Sequence, residues 1–186
     1  SLSRPSWPWF RDSQRRLMEE IPHTGMAVCT DRGDSLDVHP TRKQEVGERL
    51  AYWALNKTYG HRVVPSGPLY KSVSFNKNVA MVSFDYAEGM KASEGEELRT
   101  FEIAGEDGVF HPAELKNLKP SKRYGGNTEY KGDIEGERKL VIGSKAVDKP
   151  VHLRYLYCAP WTGYIFNEVN LPLGAFHLDA GKASSE

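Results

Sequence analysis

The sequence predicts the C-terminal end of a three-layer α/β/α domain followed by an antiparallel β-sandwich or jelly-roll-like domain. Before Arg62 the apolar residues recur with helical spacing, whereas after it short β-rich segments alternate in polarity between turn signals. The first 60 residues contain one predicted strand between two helices, and a single strand leaves its backbone N–H and C=O groups unpaired. We therefore expect 1–60 to be an incomplete α/β portion, 66–178 to be the β domain and 179–186 to be a tail.

Two helices are predicted in the first region. The first carries an apolar stripe with three-four spacing and ends at Pro22. Its stripe consists of Trp7, Phe10, Leu17, Met18 and Ile21. In the second helix Thr41 is the predicted N-cap, Gln44 completes a capping box and Gly60 follows the C-terminus. Its stripe consists of Val46, Leu50, Trp53 and Ala54.

The strand between these helices is predicted over Met26–Thr30. Its apolar residues are continuous rather than alternating, which is typical of a strand covered on both faces in a parallel sheet. A polar loop follows it and leads to the second helix. At the carboxyl end of a strand in an open α/β sheet, such a loop borders the reactive crevice.

The second region is predicted to be built of short antiparallel strands. Strands without intervening helices are typical of a sandwich. The predicted strand segments are 72–75, 80–84, 98–103, 139–142 and 151–157, and turn signals lie at 76–78, 105–108, 125–127 and 148–150.

Composition excludes several classes of protein. The chain has 186 residues, with 25 Lys and Arg against 25 Asp and Glu, so we expect no nucleic-acid partner. No apolar run approaches the length of a membrane span, and no cysteine or histidine spacing indicates a metal site or cofactor. Cys29 and Cys158 are expected to be buried free thiols, with a single disulfide as the alternative.

The loop after the predicted strand carries the residues with the clearest chemical potential. Asp34 and Asp37 precede His39, and a histidine oriented by a carboxylate is the general base that a serine nucleophile requires. The structural alternative is that the acids cap the loop and that His39 merely precedes a helix.

The sequence around this loop resembles the last catalytic block of the sialate O-acetylesterase family, within the GDSL/SGNH hydrolases. The similarity runs over 26–51 and includes Asp-Val-His-Pro at 37–40, followed by Lys-Gln-Glu-Val-Gly at 43–47. Further downstream, 101–113, 149–155 and 166–176 resemble the β-rich C-terminal part of the same enzymes.

The resemblance implies a role for each candidate. It implies that His39 is the general base and Asp37 the acid, with Asp34 as the alternative acid. It also implies that the nucleophilic serine and the oxyanion donors lie in upstream sequence or a second chain, within a Gly-Gln-Ser-Asn block. We therefore expect this chain alone to be inactive.

The same resemblance implies the substrate and the surroundings of the protein. The implied substrate is O-acetylated sialic acid or another acetylated saccharide, no cofactor is needed, and a secreted or periplasmic location is favoured. The alternatives are an acetyl-xylan-type esterase and a carbohydrate-binding or structural β module without activity of its own.

Overall fold

The structure is a computed structural model that describes residues 6–33, 42–93, 97–117, 119–122, 128–131, 138–157 and 162–181. Over these residues the chain forms two helices followed by eleven strands. Within the described part of the chain, neither helix has the length and apolar character that crossing a bilayer would require.

Both predicted helices are present. α1 spans Trp7–Glu20 and α2 spans Lys43–Lys57. The predicted capping box of α2 is wrong: Arg42 is the N-cap, no side chain caps the helix, and Gln44 Nε2 instead donates a hydrogen bond to Glu48 Oε1 at 2.8 Å. Thr41 lies outside the described residues.

The predicted strand Met26–Thr30 is wrong. Residues 24–29 have no regular secondary structure, and residues 26–30 are half-buried rather than covered on both faces. A strand exists only where a neighbouring strand pairs with its backbone, and none of the described strands lies beside this segment. The apolar composition of this segment is typical of a strand, but composition alone cannot provide the neighbouring strand with which the segment would have to pair.

The strands form one seven-stranded antiparallel sheet and two small two-stranded sheets. The order in the large sheet is β1-β2-β8-β5-β4-β9-β11, and the small sheets pair β10 with β3 and β6 with β7. The strands are β1 Leu69–Asn76, β2 Val79–Asp85, β3 Lys91–Ala92, β4 Phe101–Ala104, β5 His111–Leu115, β6 Lys119–Lys122, β7 Thr128–Lys131, β8 Lys139–Gly143, β9 His152–Tyr155, β10 Ile165–Phe166 and β11 Phe176–Asp179.

This architecture contradicts the predicted three-layer α/β/α domain. The described chain is mostly β, its large sheet is antiparallel throughout, and its two helices enclose no parallel sheet between them. The prediction failed because it assigned a sheet to the helical region from Met26–Thr30, a segment that pairs with no strand. The antiparallel pairing expected after Arg62 is observed, and the turn at 76–78 joins β1 to β2.

One strand contains a proline that sequence analysis did not assign to a strand. Pro112 lies in β5, between β4 and β8, where a missing backbone N–H would normally break a ladder. β8 pairs only with Glu114 and Leu115, so Pro112 has a neighbouring strand on the β4 side alone, opposite Glu102. The proline therefore occupies a part of β5 that behaves as an edge.

The hydrophobic core belongs to the large sheet. Its alternating inward residues are completely buried, as the burial pattern of β2 shows. The largest of these apolar side chains are Tyr155, Phe176, Ile103, Leu140, Ile142 and Leu153. The sheet therefore has a complete core of its own.

The two helices show the opposite arrangement. The predicted apolar stripe of α1 faces outward, with Phe10 60% exposed, while Asp12 and Arg15 are buried. In α2 Leu50 is 52% exposed and Arg49 is the buried residue. The periodicity correctly predicted the helices but assigned the wrong face to the protein interior.

Charged side chains attach α1 to the sheet. Asp12 accepts hydrogen bonds from Arg15 and Arg16, and Arg16 also donates to the backbone carbonyl of His177 in β11 at 3.1 Å. The guanidinium of Arg15 lies over the ring of Tyr70 in β1, at 5.3 Å from its centroid. The inner surface of α1 is therefore an ionic and cation–π contact rather than an apolar one.

Candidate active site

The residues predicted to carry the chemistry are Asp34, Asp37 and His39. All three lie outside the described residues, between Gly33 and Arg42. Their roles stay predictions, and the structure describes the two chain segments that lead into and out of their loop.

An ion pair joins these two segments. Asp31, just before the loop, accepts two hydrogen bonds from Arg49 of α2, at 2.7 Å and 2.8 Å. Arg49 also donates to the carbonyl oxygen of Val28. The side chains of Asp31 and Arg49 are 5% and 7% exposed, so the bidentate pair is largely removed from water. It fixes the start of the loop against the helix that follows the loop.

Further hydrogen bonds hold the residues before the loop. Trp53 Nε1 donates to the carbonyl of Met26 at 3.0 Å, and the Tyr164 hydroxyl donates to the carbonyl of Thr30 at 3.1 Å. Gly25 lies against the indole of Trp53, where an added Cβ would come within 2.5 Å of the ring. The segment is thus held by side chains from α2 and from the β region instead of by a strand ladder.

Burial and nearby charges shift the pKa values of Arg49 and Cys29 in this region. The hydrogen bonds that Arg49 donates to the Asp31 carboxylate raise the pKa of Arg49, which keeps its charge. Burial raises the pKa of the Cys29 thiol, and the nearby Asp31 adds to this shift while Arg49 opposes it. The neutral thiol donates to the carbonyl of Ala27 at 3.5 Å. Cys29 is free, as predicted, but it is not an activated nucleophile; Cys158 lies outside the described residues.

A groove of about 480 Å³ opens next to this segment. Residues 25–30 form its floor, and its walls come from α1, α2 and the chain just before β11. The wall residues are Arg11, Gln14, Val46, Leu50, Gly174 and Ala175. The groove is therefore bordered by the exposed apolar face of α2 and by half-buried backbone that is not part of any sheet.

A second cluster of titratable side chains lies on the large sheet. His152, His177 and Asp179 bring one ligand atom each to within 4.8 Å of one another, the arrangement among the described residues that could hold a metal ion. Sequence analysis predicted no metal site, because it searched for ligand spacing along the chain. The available signal was weaker: His177 and Asp179 are two residues apart, which places them on one face of a strand.

Comparison with known proteins finds similarity to a solved structure. No protein-family model matches the chain, and no curated protein matches it. A solved structure that does match is the crystal structure of XAC1771, a novel carbohydrate acetylesterase from Xanthomonas citri, with a TM-score of 0.72 and 30% sequence identity. The chain is similar to a carbohydrate acetylesterase. The match covers 93% of this chain but 36% of that enzyme, so the chain spans about a third of its length.

The similarity supports the sequence-based expectation at a coarse level. It supports a relationship to carbohydrate esterases, which the resemblance of the Asp-Val-His-Pro block implied. It does not extend to sialic acid as the substrate.

Sequence analysis missed the Asp31–Arg49 pair, because Arg49 is a charged residue next to an apolar stripe and nothing in the helical pattern marks it as buried.

Proposed function

We propose that the chain forms part of a serine esterase that removes O-acetyl groups from a carbohydrate. The observation that carries this proposal is the match to a carbohydrate acetylesterase over 93% of the chain. The fixed ends of the 34–41 loop add support, because a catalytic base needs a position set by its surroundings. Asp31 and Arg49 supply that constraint.

In this proposal His39 is the general base. It takes the proton of the serine hydroxyl as that oxygen attacks the acetyl carbonyl, and it passes the proton to the departing sugar oxygen. It then activates the water that hydrolyses the acetyl-serine to acetate and regenerates the serine. Asp37 orients the imidazole and stabilises its charged form, and Asp34 is the alternative acid. The sequence resemblance supports these assignments, and Asp37 matches the family pattern directly.

The nucleophile and the oxyanion donors come, in this proposal, from polypeptide outside the chain, either joined upstream or supplied as a separate chain. Exposed apolar side chains on both helices support this view, and one of them, Leu50 of α2, lines the groove next to residues 25–30. Exposed apolar surface can mark a contact site. We assign that surface to the nucleophile-bearing polypeptide.

O-acetylated sialic acid is the substrate that the sequence resemblance favours, and acetyl-xylan is the second candidate. Acetate release by the assembled esterase should be measured on both. A rate that is at least tenfold higher on acetyl-xylan would contradict the choice of sialic acid, yet it would leave the esterase proposal standing.

The decisive experiment substitutes the proposed base. His39→Asn should reduce acetate release by the assembled esterase by about 10⁴-fold or more, as removal of a triad histidine does in other serine hydrolases. His61→Asn is the matched control, since His61 is exposed beyond the end of α2. It should leave the rate unchanged.

Two results would overturn the proposal. The first is a His39→Asn esterase that retains a rate within tenfold of the unsubstituted protein. The second is a His39-dependent hydrolysis of p-nitrophenyl acetate by this chain alone at the rate of the assembled esterase, which would contradict the assignment of the nucleophile to other polypeptide.

A further inference from the structure

The cluster on β9 and β11 places three potential metal ligands on one face of the sheet. In the antiparallel ladder His152 is directly opposite Asp179, and His177 is opposite Arg154. Residues two apart on a strand share a face, so His152, His177 and Asp179 all project from the same side. The backbone ladder itself therefore determines their proximity.

Asp179 lies close to both histidines, and all three ligand atoms lie within 4.8 Å of one another. Asp179 Oδ1 lies 2.6 Å from His152 Nδ1 and 3.2 Å from His177 Nε2. His177 Nε2 is a buried atom that makes no hydrogen bond, since the contact with Asp179 lacks the required geometry. A buried imidazole nitrogen without a hydrogen bond is costly in the absence of a further ligand.

The separations fit a small metal ion after modest side-chain rotation. With metal–nitrogen and metal–oxygen bonds of about 2.0–2.2 Å, tetrahedral ligand atoms lie roughly 3.3 Å apart. The His177–Asp179 contact already has this length, and the His152–Asp179 contact must lengthen by less than an ångström. The three side chains are 28–31% exposed, so the cluster lies at the protein surface although His177 Nε2 itself is buried.

Aromatic and charged neighbours complete the environment. The rings of Phe110 and Tyr157 each stand edge-on to His177, with centroids 5.6 Å away, and restrict its orientation. The nearby Arg154 is paired with Glu102 at 2.8 Å, which offsets its charge next to a cation site. Arg16, which contacts the His177 carbonyl, is likewise paired with Asp12.

We infer that His152, His177 and Asp179 bind a divalent transition-metal ion, of which Zn²⁺ fits best. Two imidazoles and one carboxylate suit Zn²⁺ and related ions, whereas Ca²⁺ and Mg²⁺ prefer sites made of oxygen atoms. None of these ligands is among the residues proposed for the esterase reaction, Asp34, Asp37 and His39. Its ligands cross-link β9 to β11, the strand on which α1 is docked through Arg16 and His177, so the ion stabilises the attachment of the helical region.

The direct test is titration of the metal-free chain with Zn²⁺, followed by calorimetry. We expect one ion per chain at pH 7.5, a higher thermal midpoint with Zn²⁺ present, and weaker binding at pH 5.5, where protons compete for the imidazoles. Co²⁺ in place of Zn²⁺ should give visible absorption bands of a low-symmetry nitrogen–oxygen site.

Variants separate this site from adventitious binding. His177→Gln and Asp179→Asn should each weaken Zn²⁺ binding by more than the roughly 10–100-fold that outer-sphere substitutions cost. His61→Gln is the control, since His61 is an exposed histidine outside the cluster, and it should bind normally. The apparent folding of each variant is checked by circular dichroism without metal.

The inference is overturned by either of two results. One is the absence of a one-to-one Zn²⁺ site in the unsubstituted chain, in which case the cluster is only a His–Asp–His contact. The other is a Zn²⁺ site whose affinity is unchanged in both His177→Gln and Asp179→Asn. Neither result depends on esterase activity.

Discussion

The helical region, residues 6–60, and the β region, residues 69–179, use the same kinds of side chain in opposite ways. In the β region the inward face of the sheet is apolar and fully buried, with Leu153 at 0% exposure. In the helical region charged side chains occupy buried positions, and most of the predicted apolar stripes are exposed, with Leu50 at 52%, although Trp53 is half-buried. The β region therefore has an apolar core of its own, whereas the buried side chains of the helical region include charged ones.

The two regions therefore differ in the interactions that stabilise them. The β region follows the ordinary rule that apolar burial stabilises the fold. The helical region is held by ion pairs and hydrogen bonds, above all Asp31–Arg49, and it leaves its apolar surface available for contact. The helical region thus leaves Phe10 and Leu50 exposed in the described part of the chain.

The largest expected effect on stability comes from the buried ion pair of the helical region. Asp31→Asn leaves the Arg49 charge without its counter-charge, and breaking a buried pair in this way costs about 3–5 kcal/mol. The free energy of unfolding from urea denaturation, together with hydrogen exchange in α2, should report the loss. The exposed Lys71–Asp85 pair is the control, and Asp85→Asn should cost about 0–1 kcal/mol. Equal costs for the two variants would contradict the role of ion pairing in the helical region.

A slightly smaller loss of stability should distinguish the buried apolar core of the large sheet from the exposed apolar side chains of α2. Leu153→Ala empties space in the core of the large sheet and should lower the free energy of unfolding by about 2–5 kcal/mol. Leu50→Ala makes the same chemical change on α2, and it should alter stability by less than about 0.5 kcal/mol in the chain alone. Both values come from urea denaturation. A large loss for Leu50→Ala would show that the α2 face is already buried in this chain.

The smallest expected effect is on the pH dependence of stability. It comes from His177 of β11, which lies where α1 contacts the large sheet. The pKa of His177 is lowered in the folded protein, so the unfolded chain binds more protons as the pH falls below the ordinary histidine pKa. The stability contribution is fully present above about pH 6.5 and is lost as the pH falls toward the folded pKa. His177→Gln should therefore reduce the loss of stability between pH 7 and pH 5, measured without metal. An unchanged pH dependence would contradict the assigned shift.

The sequence was sufficient for features that depend on local pattern. Three-four spacing located α1 and α2, and alternation with turn signals located β1, β2, β8 and β9 to within a few residues. It also led to the resemblance that the carbohydrate acetylesterase similarity supports at a coarse level. These features are encoded in short windows of sequence, where side-chain period and turn chemistry act directly.

The features that failed depend on partners distant in the chain. Met26–Thr30 has the composition of a strand, but a strand needs a neighbour that composition cannot show. The apolar stripe of α1 identified the helix, yet Asp12 and Arg15 became buried because the sheet offers polar and aromatic groups to them. The His152–His177–Asp179 cluster required the register of β9 against β11, which no spacing along the chain reveals.

In the proposed esterase, the exposed apolar side chains of the helical region contact the nucleophile-bearing polypeptide. The most direct measurement is acetate release by the assembled esterase carrying Leu50→Asp, compared with Val109→Asp, which changes a similarly exposed apolar side chain of the β region. A buried unpaired carboxylate costs several kcal/mol, so Leu50→Asp should lower the rate by about 100-fold or more, while Val109→Asp should leave it unchanged. Equal rates for Leu50→Asp and the unsubstituted esterase would contradict the claim.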